Sequence, residues 1–245
     1  MTHLPTAIFM KPFLLSLLFT SATFAQTLES QLQERQKASG AKSDAATKTA
    51  YAAGIQSVQD SGVTDKAVQV GQKAPDFELK NAKGETVRLS TLLEQGPVVL
   101  TWYRGGWCPY CNITLAALQK VLPDIQASGA QLVALTPELP DKALTTAEKN
   151  DLKFQVLTDL NHEVAKRYNM AFELTPDVAS RYKKHFDLLG FNGAEAGETT
   201  LPLAATYVID RDGMVRYAFL DADYRKRAEP AEIVAFLKKM IVTKE

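Results

Sequence analysis

The chain has 245 residues, 46% of them hydrophobic and 23% charged, enough for one full core with a small appendage. Lysine plus arginine (28) equals aspartate plus glutamate (28), a balance that recommends neither nucleic acid nor an anionic membrane as partner. Two cysteines are too few for a secreted scaffold stapled by disulfides.

At the N-terminus, Lys11 precedes the apolar run Pro12 to Phe19 and then small residues up to Ala25. A basic residue, a short apolar stretch and a small-residue cleavage site read as a secretory signal over residues 1–25, cut after Ala25. Initiation at Met10 would sharpen the pattern. Lys11 interrupts the stretch, and a membrane anchor needs about 20 continuous apolar residues. No cysteine follows directly, which argues against a lipid-modified terminus. The expected location is therefore periplasmic or secreted, without membrane attachment once the signal is cut. Losing Lys11 leaves 27 basic against 28 acidic residues (28 − 1 = 27). Export would place both cysteines where disulfides persist.

Residues 26–67 are polar and alanine-rich, with one weak helical stripe in Ala50, Tyr51, Ile55 and Val58; they read as a helical or flexible leader interrupted by Gly40 and Gly54. Denser structure begins near Val70. Phe77–Lys80 and Thr86–Leu89 flank a turn and read as a hairpin, with Ser90 expected to cap a short helix through Leu93. Pro97–Tyr103 is β-branched and largely apolar, the pattern of a strand buried on both faces. After Arg104-Gly105-Gly106-Trp107-Cys108-Pro109-Tyr110-Cys111 comes a helical stripe including Ile113, Ala117, Leu118 and Val121, ended by Gly129. The spacing then predicts a strand at 131–135, a helix over 141–150, a strand at 154–157 and a helix over 162–169. A polar, aromatic insertion follows at 172–200. Thr206–Asp210 and Val215–Phe219, separated by Asp212-Gly213, form a second hairpin, and a closing helix opens near Pro230. The implied fold is α/β: a central mixed sheet flanked by helices, with a right-handed βαβ unit at its centre.

Chemistry concentrates at Cys108 and Cys111. Cysteines three positions apart in a first helical turn share a face and lie close enough to join. Pro109 suits the first helical position, which makes Cys108 the capping residue beside unpaired amides carrying roughly half a positive charge. A thiolate is favoured there, so its pKa falls below the reference of about 8.5, and Arg104 is a further nearby cation. Other uses of the pair compete with this one. A structural disulfide closing so short a loop removes roughly 2 kcal/mol of unfolded-state entropy at most. A zinc ribbon would need His162 and His185 at an unfamiliar spacing, and a Cu(I) carrier would use the two soft sulfurs.

Cys-Pro-Tyr-Cys between a strand and a helix resembles the thioredoxin suprafamily, in the form found in glutaredoxins. Gly71–Phe77, the hairpin after it and Val208–Gly213 resemble the peroxiredoxins of the alkyl hydroperoxide reductase/thiol-specific antioxidant type. Tyr103–Cys111 together with Asp221–Pro230 is similar to a bacterial peroxiredoxin-like subgroup bearing a dithiol. The resemblance implies a thioredoxin-like domain over residues 68–245 and no bound organic cofactor or metal. It implies a hydroperoxide substrate and a thioredoxin-like dithiol protein as reductant. In the peroxiredoxin pattern Pro-x-x-x-Thr-x-x-Cys, Cys111 takes the position of the attacking cysteine, Cys108 replaces the threonine and Arg104 the proline. The family's later arginine, and the cis-proline of thioredoxins, both fall near Ala204. A cis bond before alanine costs about 3 kcal/mol, so a trans peptide is expected there.

Two activities emerge. A thiol-dependent peroxidase would form a sulfenic acid that the second cysteine condenses to a disulfide, with Arg104 stabilising the departing oxygen. A thiol-disulfide oxidoreductase would attack protein disulfides through Cys108, with Cys111 resolving. A binding module that kept the fold would turn over neither. Helix geometry favours Cys108 as the more exposed, attacking sulfur, whereas the peroxiredoxin register favours Cys111. Trp107 and Tyr110 flank the thiols or simply pack; Trp102 and Tyr103 read as core. Asp223–Glu229 reads as a solvated connection, and His162 as a helix opener. The insertion, with Tyr182, His185 and Phe186, either roofs the site or mediates self-association, as in a homodimer.

Overall fold

The computed structural model describes residues 26–194, 197 and 199–242; the expected signal segment lies outside them. Two helices, α1 (Leu28–Lys42) and α2 (Ala45–Asp60), and a short α3 (Val63–Lys66) precede the hairpin β1 (Glu78–Asn81) and β2 (Thr86–Arg88). Next come α4 (Leu89–Gln95), β3 (Val98–Trp102), α5 (Pro109–Ala127), β4 (Gln131–Thr136), α6 (Pro140–Lys149) and β5 (Gln155–Thr158). A 3-10 turn at Leu160–His162 leads into α7 (Glu163–Arg167), β6 (Ala171–Glu173), α8 (Pro176–His185), α9 (Leu188–Asn192) and β7 (Thr200–Pro202). The chain closes with β8 (Thr206–Ile209), β9 (Val215–Phe219) and α10 (Pro230–Val242).

Seven strands form one mixed sheet in the order β2-β1-β5-β4-β3-β8-β9, and β6 pairs with β7 apart from it. Parallel pairing of β3 with β4, and of β4 with β5, is flanked by antiparallel pairs on both sides. The central strand β3 is buried at every position. Its alternate residues point to opposite faces. Val98, Leu100 and Trp102 join one core with Leu89, Val164 and Tyr168, whereas Val99 packs with Leu118 and Leu122 of α5 and Leu237 of α10. Burial on both faces explains the unbroken apolar run in the sequence. Trp102, Tyr168 and Tyr207 meet at centroid distances of 5.0–6.0 Å in the first core.

Several expectations change in detail. Ser90 does not cap α4: Arg88 holds that position, and the Ser90 amide and hydroxyl both bond Asp76 at 2.9 Å. The carboxylate across the hairpin supplies the anchor that local sequence assigned to serine. His162 does precede a helix, but in a left-handed conformation (φ 58°), and α7 ends at Arg167. The insertion at 172–200 holds α8 and α9 between two paired strands. The peptide before Ala204 is trans, as the energetic cost requires.

The leader is helical and docked. Leu28 and Leu32 of α1 are buried in the same cluster as Cys108, Tyr110 and Cys111. α2 packs on α8 at Gly54, where a Cβ would collide with the side chain of Val178. The glycine that weakens the helix in isolation is what lets the two helices approach. The N-terminus of α1 is held from a distance: both oxygens of Glu229 accept amide protons, from Leu28 and Glu29, at 3.1 Å each. A carboxylate at a helix N-terminus satisfies orphan donors and complements the dipole. Glu229→Ala is expected to cost α1 about 1 kcal/mol of local stability. Hydrogen exchange of the α1 amides should accelerate by roughly fivefold while exchange in β3 and β4 stays unchanged.

Candidate active site

The site forms where β3 gives way to α5. Cys108 occupies the capping position (φ −86°, ψ 112°) and Pro109 the first helical residue, as the spacing predicted. The loop that delivers them is tightly specified. Gly105 has φ 143°, a conformation L side chains rarely adopt, and a Cβ there would collide with the Trp107 indole. The Gly106 amide donates to Glu138 Oε1 (2.8 Å), and Asn112 Nδ2 donates to the carbonyls of Gly106 (2.7 Å) and Cys108 (3.1 Å).

Glu138, just beyond β4, is fully buried and organises this loop. It accepts hydrogen bonds from Tyr103 Oη (2.6 Å) and Thr146 Oγ1 (3.1 Å) besides the Gly106 amide. Burial pushes its carboxyl above the ordinary value, against these three hydrogen bonds. Tyr103 is core, as expected, but its hydroxyl ties the end of β3 to the end of β4.

Both thiols are free and both are buried, Cys108 at 1% exposure and Cys111 at 0%. Cys108 is the more exposed of the two only by this margin, because leader and C-terminal segments cover the helix terminus. What separates the sulfurs is charge. Arg104, itself 2% exposed, places Nη2 3.5 Å from Cys108 Sγ, while its Nη1 donates to Tyr182 Oη at 3.2 Å. Its guanidinium lies over the rings of Tyr224 (4.1 Å), Trp107 (5.2 Å) and Tyr182 (5.7 Å). Among the described residues no carboxylate pairs with Arg104. Guanidinium does not deprotonate in proteins, and a buried cation without an anion costs several kcal/mol. The Cys108 thiolate is the available counter-charge.

Burial opposes ionisation of Cys108, but a hydrogen bond from Cys111 and the charges of Arg104 and Arg227 together hold its pKa well below the ordinary thiol value. Burial, the hydrogen bond given to Cys108 and the neighbouring negative sulfur push Cys111 well above it. The pair is poised as thiolate and thiol.

Arg227 Nη2 reaches Cys111 Sγ at 3.6 Å. Asp223–Glu229 is therefore no mere solvated connection. Tyr224 stacks on Arg104 and meets Tyr110 edge-on at 5.6 Å, and Arg227 faces the second sulfur. The segment's charges are held internally, by the bidentate Arg225–Asp223 pair among others. The insertion roofs the site: Tyr182 and Phe186 pack on Trp107 at 5.5 and 5.1 Å. Trp107 and Tyr110 thus both pack and flank the thiols.

The predicted set Arg104, Trp107, Cys108, Pro109, Tyr110 and Cys111 comes together, and Tyr182 joins it from the insertion; Tyr224, Arg227 and Glu138 were missed in those roles. Glu138 had a faint signal, since it follows a strand parallel to β3 and the carboxyl ends of such strands converge. Tyr224 and Arg227 lay within a stretch already noted for resemblance.

The family model described as the AhpC/TSA family matches residues 70–218. The chain belongs to the AhpC/TSA family. Peroxiredoxin Bcp of Escherichia coli is 25% identical over 155 residues, covering 63% of this chain and 86% of that protein. The thiol-disulfide oxidoreductase ResA of Bacillus thuringiensis is 23% identical over 152 residues, covering 62% and 69%. The crystal structure of peroxidoxin BcpB from Mycobacterium tuberculosis superposes with a TM-score of 0.56 at 22% identity, covering 71% of this chain and 98% of that one. The AhpC/TSA match leaves out α1 to α3 and the Tyr224–Arg227 stretch, so part of the wall around this dithiol lies outside it.

Titration of the reduced AhpC/TSA-family protein at 240 nm should show one thiolate forming well below the ordinary pH of about 8.5. Arg104→Met keeps bulk and removes charge, and should move that transition upward. Because the folded pKa of Cys108 is depressed, its thiolate stabilises the reduced fold above the unfolded thiol's pKa. That contribution disappears as pH falls through the folded value, so the variant should narrow the stability difference between alkaline and acidic solution. A transition left in place by Arg104→Met would refute the pairing.

Proposed function

We propose that this protein is a thiol-dependent peroxidase in which Cys108 attacks and Cys111 resolves. The observation that carries the reading is the buried Arg104 guanidinium against Cys108 Sγ, with Cys111 as the protonated neighbour. Membership of the AhpC/TSA family and likeness to peroxiredoxins of the Bcp type support the same chemistry.

The Cys108 thiolate attacks the terminal oxygen of a hydroperoxide; an S–O bond forms as the O–O bond breaks. Sulfur loses two electrons, and the departing alkoxide or hydroxide takes a proton to leave as alcohol or water. Arg104, with the Tyr182 hydroxyl beside it, stabilises the charge growing on that oxygen. Cys111 then attacks the sulfenic sulfur, water leaves, and the disulfide closes. Resolution three residues away in the same helical turn needs little rearrangement. An external thioredoxin-like dithiol protein reduces the disulfide by exchange. No organic cofactor or metal enters this scheme.

The second reading, thiol-disulfide exchange on protein substrates, has the ResA likeness in its favour. Sulfurs exposed by 1% or less suit a small oxidant better than a folded protein's disulfide. The apolar run and Ala25 cleavage pattern support export to the periplasm or beyond.

Peroxide consumption with a dithiol reductant should fall to background in Cys108→Ser. Cys111→Ser should accumulate a sulfenic acid, captured by dimedone only after peroxide. Arg104→Met should lower kcat/KM for hydrogen peroxide about 10²–10³-fold. Labelling confined to Cys108→Ser would reverse the order of the sulfurs, and insulin reduction without peroxide turnover would favour the exchange reading.

A further inference from the structure

A cleft of about 750 Å³ opens between the leader helices and the dithiol, with Cys108 and Arg104 in its wall. Hydrogen peroxide needs no such space; volumes of this order hold organic ligands. Its inner surface is aromatic, with Trp107, Tyr110, Phe186 and Tyr224 facing Tyr51 of α2.

The outer wall is cationic. Residues 26–66 carry five basic and five acidic side chains, yet four of the bases (Arg35, Lys37, Lys42 and Lys48) line the cleft and none of the acids does. Asp44, lying between two of them in sequence, is turned to α2, where it accepts the Thr47 amide at 2.6 Å. Among the described residues none of the four pairs with a carboxylate. On the inner wall, Arg104 is matched by the Cys108 thiolate and Arg225 by Asp223. The uncompensated positive charge therefore belongs to the leader.

We propose that this cleft selects organic hydroperoxides bearing an anionic group, with the apolar body on the aromatic surface, the peroxide at Cys108 and the anion toward the leader cations. This rests on the peroxidase reading and assigns its substrate class. The leader thereby acts in specificity, through charges that the family match does not include.

The test compares cumene hydroperoxide with its para-carboxylate, two substrates alike in body and leaving group. Wild-type kcat/KM should favour the carboxylate by about tenfold at low ionic strength, and the preference should shrink in 0.5 M salt. In the doubly substituted Lys42→Glu/Lys48→Glu protein the ratio should fall to about one or below. Taking the ratio within each protein cancels differences in active fraction. Equal wild-type kcat/KM for the two substrates, or a preference indifferent to salt and to the charge reversal, would overturn the proposal. Calorimetric binding of the two corresponding cumyl alcohols to Cys108→Ser makes the result independent of turnover. Selective binding of the carboxylate with no peroxide consumption by wild type would sink the peroxidase and keep the anion site. Turnover with neither selectivity nor selective binding would do the reverse.

Discussion

The site depends on one buried ion pair, the Arg104 guanidinium with the Cys108 sulfur. Arginine does not lose its proton, and at 2% exposure Arg104 has little contact with water, so most of its charge has to be met inside the protein. Three aromatic rings share the load through their negative faces, but rings supply no full charge. A thiolate does. The same contact that makes the arginine tolerable in the interior also makes the sulfur nucleophilic. Loss of water around the pair strengthens both effects, because interactions between charges grow as the local dielectric falls.

That exclusion of water is the work of segments distant in sequence. Leu28 and Leu32 of the leader, Tyr182 from the insertion and Tyr224 from the stretch before the last helix converge on the end of the sheet where β3 enters α5. Glu229 joins two of these segments by holding the start of α1. The sheet and α5 position the sulfurs, and the added segments set their dielectric surroundings and the shape of the approach.

Division of labour also follows the family relationship. The AhpC/TSA match spans the strands and helix that carry the dithiol, and the fold is shared with proteins at 25% identity or lower. The leader and the segment carrying Tyr224 and Arg227 lie beyond it. The matched region thus carries both sulfurs, and segments outside it build part of the wall around them. Arg104, at the start of the motif, meets the Cys108 sulfur directly.

The sequence alone determined the local features. Apolar, β-branched runs and period-3.6 stripes placed the strands and long helices, Asp212-Gly213 marked the second hairpin, and Cys108-Pro109-Tyr110-Cys111 set two sulfurs on the first turn of α5. Each is governed by residues within a turn or two of one another. Only the tertiary structure decided that both thiols are buried, that Ser90 bonds Asp76 rather than capping, and that the charged run from Asp223 faces the active site. Those outcomes hinge on contacts between residues 14 to more than 100 positions apart. A hydrophilic stretch reads as solvated until the partners that satisfy its charges are known, and those partners are brought together by packing, which leaves no periodic trace in the chain.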